Sequence, residues 1–157
     1  NDFECCCFGI LYLKPMFSKS QSKQLRQEFW TSFGKSFPRK WIRYNTKVKG
    51  LSFKFHFDTK TAYVALCFDM APDKQNAYWD TIKSHKSILE SDFFPEIQFE
   101  KELQVSEDKI LPAVYVSIPS KVSIHNKSTW KTTMEFLNES MIKFEDFYNL
   151  YENTVKI

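Results

Sequence analysis

The sequence predicts an α+β fold of two layers, in which helices pack on one face of an antiparallel sheet made of two hairpins. Three observations carry this prediction. Apolar residues recur every three or four positions in a long C-terminal segment, which is typical of an amphipathic helix. Apolar and polar residues alternate in shorter segments, which is typical of strands with one buried face. The element order α-ββ-α-ββ-α allows both hairpins to join in one sheet.

The first helix is predicted over residues 18–33. Ser18, followed by Gln21 three residues later, has the pattern of a capping box, which satisfies free backbone groups where a helix begins. The apolar stripe of this helix consists of Leu25, Phe29 and Phe33. Gly34 is expected to lie just beyond the last turn, because glycine adopts the conformation that ends many helices.

The first hairpin is predicted over residues 51–68. Apolar and polar side chains alternate over residues 51–57, and residues 58–60 have the composition of a turn. Residues 61–68 are almost continuously apolar, as expected for a strand that is covered on both faces. Before the hairpin, residues 41–44 are predicted to form a short strand.

The second helix is predicted to begin at Pro72, because proline suits the first turn of a helix. Its apolar side consists of Tyr78, Ile82 and Leu89, with Trp79 and Ile88 adjacent. Residues 92–95 are expected to end it. The second hairpin comes next, with strands at residues 97–104 and 113–118 and a turn at residues 107–109.

The last helix is predicted near residues 128–152 and has the strongest periodic signal in the chain. Its stripe consists of Trp130, Met134, Leu137, Met141, Phe144, Tyr148 and Tyr151, which lie alternately four and three residues apart. Aromatic residues make up 17% of the sequence, and most of them fall on these stripes and alternations. Packing in a core therefore explains most of the aromatic excess.

A single domain is predicted over residues 16–157, since 157 residues are enough for one hydrophobic core. Residues 1–15 differ in composition from the rest of the chain and do not begin with Met. We expect the native protein to start at Met16, and we interpret residues 1–15 as translated upstream sequence or an artificial extension. A genuine edge strand is the alternative interpretation.

Cysteine usage predicts a cytoplasmic location. Three of the four cysteines lie in the atypical segment 1–15, so Cys67 is the only cysteine of the predicted domain. A single cysteine forms no internal disulfide, which favours a reducing compartment. Segment 1–15 lacks the basic start of a secretory signal, and its apolar stretch is too short to cross a membrane. We therefore expect no membrane partner.

Few residues point to catalysis, and we assign no catalytic residue, metal ligand or cofactor. Three glycines in the whole chain are too few for a phosphate-cradling loop. Asp58-Thr59-Lys60 and Glu107-Asp108-Lys109 have the carboxylate-x-lysine form of a metal-dependent nuclease site, but both are predicted turns. A binding domain is thus preferred, and a metal-dependent nuclease is an alternative.

Charge is distributed unevenly along the chain. The net charge of +3 conceals a net of +9 over residues 16–60 and −5 over residues 61–157. The candidate binding residues of the basic part are Lys35, Arg39, Lys40, Trp41, Arg43, Lys47 and Lys49. Cations neutralise phosphates, and aromatic faces stack on unpaired bases, so this pattern predicts nucleic-acid binding. The alternatives are a basic loop that faces acidic residues of the same chain, and a protein-interaction module that forms a homodimer.

The aromatic pattern also resembles a bacterial family that is known only as a domain of unknown function. The resemblance covers about residues 20–150. It rests on Phe29-Trp30, on Trp41-Ile42-x-Tyr44-x-Thr46-x-Val48-Lys49-Gly50-Leu51-x-Phe53-x-Phe55, on residues 58–66, and on Trp130, Phe136, Phe144 and Phe147-Tyr148. Members of that family stand alone or lie C-terminal to restriction-endonuclease-like (PD-(D/E)XK) nuclease domains. The resemblance therefore favours an accessory module in a restriction or defence context, and it supplies no established catalytic residues that could be assigned to this sequence.

Overall fold

The computed structural model of the protein describes residues 17–156. In chain order the elements are α1 (Lys19–Ser36), β1 (Leu51–Phe57), β2 (Ala62–Phe68), α2 (Pro72–Ser84), α3 (Lys86–Ile88), a π-helical turn (Leu89–Phe93), β3 (Gln98–Ser106), β4 (Lys109–Ser117), a 3₁₀ turn (Lys127–Thr129) and α4 (Trp130–Val155). The α+β fold and its predicted order are confirmed, with the second helix divided into shorter pieces. The interpretation of residues 1–15 concerns a segment outside the described residues.

The four strands form one antiparallel sheet in the order β1-β2-β4-β3. The two hairpins join through β2 and β4, where Tyr63 is opposite Ser117 and Cys67 is opposite Ala113. β1 and β3 are therefore the edges of the sheet. All seven residues of the central strand β2 are buried, which confirms the prediction of a strand covered on both faces.

The helices cover one face of the sheet, as predicted. Phe29 of α1 lies 4.6 Å from Phe57 of β1 and 5.3 Å from Trp130 of α4, measured between ring centroids. Phe144 of α4 lies 6.0 Å from Phe53 of β1. The buried residues of α2 are Tyr78, Trp79 and Ile82. The predicted apolar stripes thus meet in one core between the two layers.

The opposite face of the sheet is covered by the end of the second hairpin. The Lys54 Nζ of β1 donates a hydrogen bond to the Val105 carbonyl oxygen of β3, at 2.7 Å, although these strands are opposite edges of the sheet. The hairpin end therefore bends across this face. Beneath it lies a smaller apolar cluster that includes Cys67, and burial raises the pKa of this thiol to about 11.

The bend coincides with an interruption of the pairing between β3 and β4. The register shifts between Glu100 and Leu103, and Pro112 of β4 lies next to this irregularity. A proline has no N–H to donate, so it is tolerated where a ladder of hydrogen bonds is broken. β4 consequently begins at Lys109, earlier than the predicted residue 113.

Two local predictions are wrong. α1 continues through Gly34 to Ser36, and the N–H of Phe37 closes it by bonding to the Phe33 carbonyl oxygen. Residues 41–44 form no strand, because Arg43 has φ of 47°, outside the range of extended backbone, and a turn at Arg43 and Tyr44 is closed by the bond from the Asn45 N–H to the Ile42 carbonyl oxygen at 2.7 Å. The sequence alone contains no signal for this conformation, since arginine rarely adopts it.

Within residues 17–156, no helix is long and apolar enough to cross a membrane.

Candidate functional site

The segment between α1 and β1, residues 37–50, carries six of the seven candidate binding residues. Lys35 is the exception and lies in the last turn of α1. Segment 37–50 contains no acidic residue. It has no regular secondary structure, so its conformation depends on hydrogen bonds to the rest of the domain.

Glu145 of α4 holds the first half of this segment. Its side chain is almost fully buried, with 3% exposed. One carboxylate oxygen accepts a hydrogen bond from the Arg39 guanidinium at 2.9 Å, and the other accepts from the Ile42 backbone N–H at 2.6 Å. A buried carboxylate is tolerated when it is paired and hydrogen-bonded in this way. Arg39 is therefore a structural partner as well as a candidate binding residue.

Thr46 and Tyr148 hold the second half. The buried Thr46 hydroxyl donates to the Leu51 carbonyl oxygen at 2.8 Å and accepts from the Val48 N–H at 3.2 Å. The Tyr148 hydroxyl of α4 donates to the Thr46 carbonyl oxygen at 2.6 Å. Burial raises the pKa of Tyr148 above its usual value, which further favours the protonated form that donates this bond. Two residues of α4, Glu145 and Tyr148, thus fix the segment from one side.

Arg43 and Lys47 are held in the left-handed backbone region, with φ of 47° and 66°. This region costs a residue with a side chain about 1–2 kcal/mol, so it persists only where the surroundings enforce it. Here the Arg43 carbonyl oxygen accepts from the Phe53 N–H of β1 at 2.9 Å. Such strained positions cluster at functional sites, which marks the segment as a candidate on grounds independent of its charge.

An open cleft of about 460 Å³ lies between this segment and the end of α1. Its lining residues are Trp30, Phe33, Gly34, Phe37, Arg39, Trp41, Arg43 and Phe55. Phe55 of β1 is central, because its ring centroid lies 5.2 Å from that of Phe33, 5.5 Å from Trp41 and 6.1 Å from Trp30. The cleft therefore has aromatic walls that belong to α1, β1 and the basic segment.

Two guanidinium groups border the aromatic walls. The Arg39 guanidinium carbon lies 5.0 Å from the Trp41 ring centroid, and that of Arg43 lies 6.0 Å from the Phe55 ring centroid. Arg43 also lies 5.7 Å from the ring of Tyr44, a side chain that is 76% exposed. In the described part of the chain Arg43 forms no ion pair.

The structure brings three of the seven predicted binding residues together at the cleft. Arg39, Trp41 and Arg43 share the cleft, and Lys40 and Lys49 are exposed elsewhere on the segment. Lys47 faces Glu152 of α4. The hydrogen bond from Lys156 and, to a smaller extent, the charge of Lys47 lower the pKa of the Glu152 carboxyl below its usual range. Lys35 borders a separate shallow depression on α1, with Gln24, Gln27, Glu28, Thr31 and Ser32.

Sequence reasoning missed the aromatic walls of the cleft. Periodicity assigns Phe33 and Phe55 to the core, and they do contact it, but each also faces the cleft. Trp41 is half-buried against Phe55, whereas its position outside any periodic pattern suggests exposure. The one available signal is the position of Trp30 beside the apolar stripe of α1, which places it at the edge of the buried face.

The two carboxylate-x-lysine strings lie at opposite ends of β2. Burial acts to raise the pKa of Asp58, but hydrogen bonds from His56 and from two backbone N–H groups outweigh it and lower this pKa below its usual range. At the other end, Lys109 forms an ion pair with Asp69 at 2.5 Å. Within residues 17–156, no group of three or more His, Cys, Asp or Glu side chains is arranged to hold a metal ion.

Neither the curated proteins nor the solved structures include a match to this chain. A protein-family model, by contrast, matches residues 25–152, a range that contains every residue lining the cleft and both of its anchors in α4. That family is described as a domain of unknown function, DUF4268. Because the match covers most of the chain, from within α1 to near the end of α4, the protein belongs to the DUF4268 family.

Proposed function

We propose that this domain is a non-catalytic module that binds nucleic acid through segment 37–50. The observation that carries the proposal is the meeting of Arg39, Trp41 and Arg43 at one aromatic cleft. Cations that release counterions from phosphates, next to aromatic faces that stack on bases, are the two elements of nucleic-acid binding that needs no sequence readout.

The charges around the cleft support the same ligand class. Glu145 compensates Arg39, but Lys40, Arg43 and Lys49 form no ion pairs in the described part of the chain and are exposed. Within residues 17–156, acidic side chains therefore compensate part of this basic segment and form no ion pair with these three cations. A phosphate backbone presents repeated negative charge at a spacing that several such cations contact together.

The biological setting is part of the proposal. The resemblance described above implies a bacterial family whose members stand alone or lie C-terminal to restriction-endonuclease-like nuclease domains. We propose a cytoplasmic bacterial protein that holds nucleic acid for a nuclease acting in restriction or defence. The binding chemistry of segment 37–50 supplies what such an accessory role requires, namely affinity for the substrate without cleavage.

A charge-reversal variant tests the proposal. We expect Lys40→Glu with Arg43→Glu to weaken binding of a fluorescently labelled mixed-sequence oligonucleotide by about 100-fold or more at about 50 mM salt. Two attractive contacts with phosphates are lost and two repulsive charges replace them. Fluorescence anisotropy measures the affinity, and circular dichroism checks that the variant is folded. Arg39 is left unchanged because its guanidinium pairs with the buried Glu145 carboxylate, so replacing it would also affect folding.

The matched control reverses two lysines at the other edge of the sheet. Lys86 lies 5.7 Å from the ring of Phe99 on β3, and Lys101 is an exposed residue of the same strand. Lys86→Glu with Lys101→Glu changes the net charge equally, and we expect an effect of less than about fivefold, from long-range electrostatics alone. Equal losses in both double variants, or no binding by the unaltered protein, would overturn the proposal.

A further inference from the structure

We infer that the cleft holds a single unpaired base, so that the domain prefers single-stranded nucleic acid to a duplex. This inference rests on the proposed function and adds the form of nucleic acid that is recognised. Segment 37–50 explains attraction to any phosphate backbone. The open cleft adds a preference for a ligand with a planar group, because it offers aromatic walls in addition to charge.

The walls of the cleft suit a planar aromatic group. Trp30, Phe37 and Trp41 are each half-buried, so each keeps part of its ring surface open. The volume of about 460 Å³ falls in the range of pockets that hold small ligands. Stacking of a base on an aromatic side chain contributes about 1–3 kcal/mol and depends little on which base is present.

The positive charge of the arginines favours a nucleotide over a cationic ligand, although aromatic walls can accept either. Aromatic enclosures also bind quaternary ammonium groups, through the negative faces of their rings. Here the guanidinium groups of Arg39 and Arg43 already lie against Trp41 and Phe55, so a second cation would be repelled. A planar group with a negative charge beside it fits both features, and a nucleotide has this chemistry.

The shape of the cleft disfavours a duplex. In a double helix each base is stacked and paired, so it enters such a cleft only after it is extruded, which costs a few kcal/mol. An unpaired base avoids this cost. The segment is also held in place by Glu145 and Tyr148, so little conformational entropy is lost when the ligand binds.

The test compares three probes of equal length with the unaltered protein. They are a mixed-sequence single strand, the corresponding duplex, and a single strand in which every nucleotide is abasic. We expect the single strand to bind about 5–150-fold more tightly than the abasic strand, the factor that corresponds to one stacked base. We also expect it to compete more effectively than the duplex. The abasic strand keeps every phosphate, so it isolates the base from the charge.

A protein variant locates the effect in the cleft. We expect Trp41→Ala to remove most of the difference between the normal and abasic strands, and Trp41→Phe to restore it, because phenylalanine keeps an aromatic face. Equal affinity for normal and abasic strands, or a difference that Trp41→Ala leaves intact, would overturn the inference and leave the proposed function standing. Failure of all three probes to bind would overturn the proposed function itself.

Discussion

Gly50→Ala is expected to lower the free energy of unfolding by about 3 kcal/mol or more. Gly50 ends the basic segment with φ of 90°, a conformation that alanine adopts only under strain. A Cβ at this position would also collide with the Asp69 carbonyl oxygen. That oxygen belongs to the backbone beyond β2, where the Asp69 N–H bonds to the Gly50 carbonyl at 2.7 Å, so it has little freedom to move. Urea denaturation of the variant and the parent measures the difference.

Gly34→Ala is the matched control and should act in the opposite direction. Gly34 lies within α1, and a Cβ there meets no described atom within 4 Å beyond its chain neighbours and the backbone of its own helix. Alanine in a helix is favoured over glycine by about 0.5–1 kcal/mol, so we expect stabilisation by this amount. Destabilisation by both variants to a similar degree would contradict the backbone assigned to these two glycines.

Arg39→Ala is the second change with a large expected effect, a loss of about 2–3 kcal/mol of folding stability. Among the described residues, it leaves the buried carboxylate of Glu145 with the Ile42 N–H as its remaining hydrogen-bond partner. Breaking a fully buried pair costs about 3–5 kcal/mol, but Arg39 is 45% exposed, so water already weakens its contribution. Lys40→Ala, an exposed neighbour, is the control and should change stability by less than about 0.5 kcal/mol.

A second substitution distinguishes an unpaired charge from lost packing. In the Arg39→Ala background, Glu145→Gln removes the negative charge but keeps an oxygen that accepts from the Ile42 N–H. We expect this double variant to regain about 1 kcal/mol or more relative to Arg39→Ala alone. A double variant that is less stable than Arg39→Ala would show that the buried charge is not the cause of the loss.

Local sequence patterns correctly predict the features that depend on residues close together in the chain, namely the helix cap and the buried faces of β1 and α4. The capping box is present, with the Ser18 N–H bonded to the Gln21 side chain at 2.8 Å and the Gln21 N–H bonded to the Ser18 hydroxyl at 3.2 Å. The alternation in β1 and the stripe of α4 identify the buried residues, because burial has the period of each element. The connection of two hairpins into one sheet is predictable from the order of the elements.

Features that depend on distant residues are not predictable in this way. Glu145 follows Phe144, a residue of the apolar stripe of α4. No residue near Glu145 in the sequence indicates that it pairs with Arg39, which lies 106 residues earlier. The predicted end of α1 is wrong because a glycine also occurs inside helices, and here the last turn continues past Gly34 until the Phe37 N–H bonds to the Phe33 carbonyl oxygen. The candidate residues are recognisable by type, but only the fold separates Arg43, which is free of ion pairs in the described part of the chain, from Arg39, which holds Glu145.

The central claim is that segment 37–50 binds a nucleic-acid backbone, and its salt dependence tests this most directly. Affinity of the unaltered domain for a labelled single strand is measured at several salt concentrations. Three or four phosphate contacts, from Lys40, Arg43, Lys49 and partly Arg39, predict that the logarithm of the affinity falls against the logarithm of salt with a slope of about −2 to −3. No binding at the lowest salt concentration, or binding with a slope near zero, would contradict the claim.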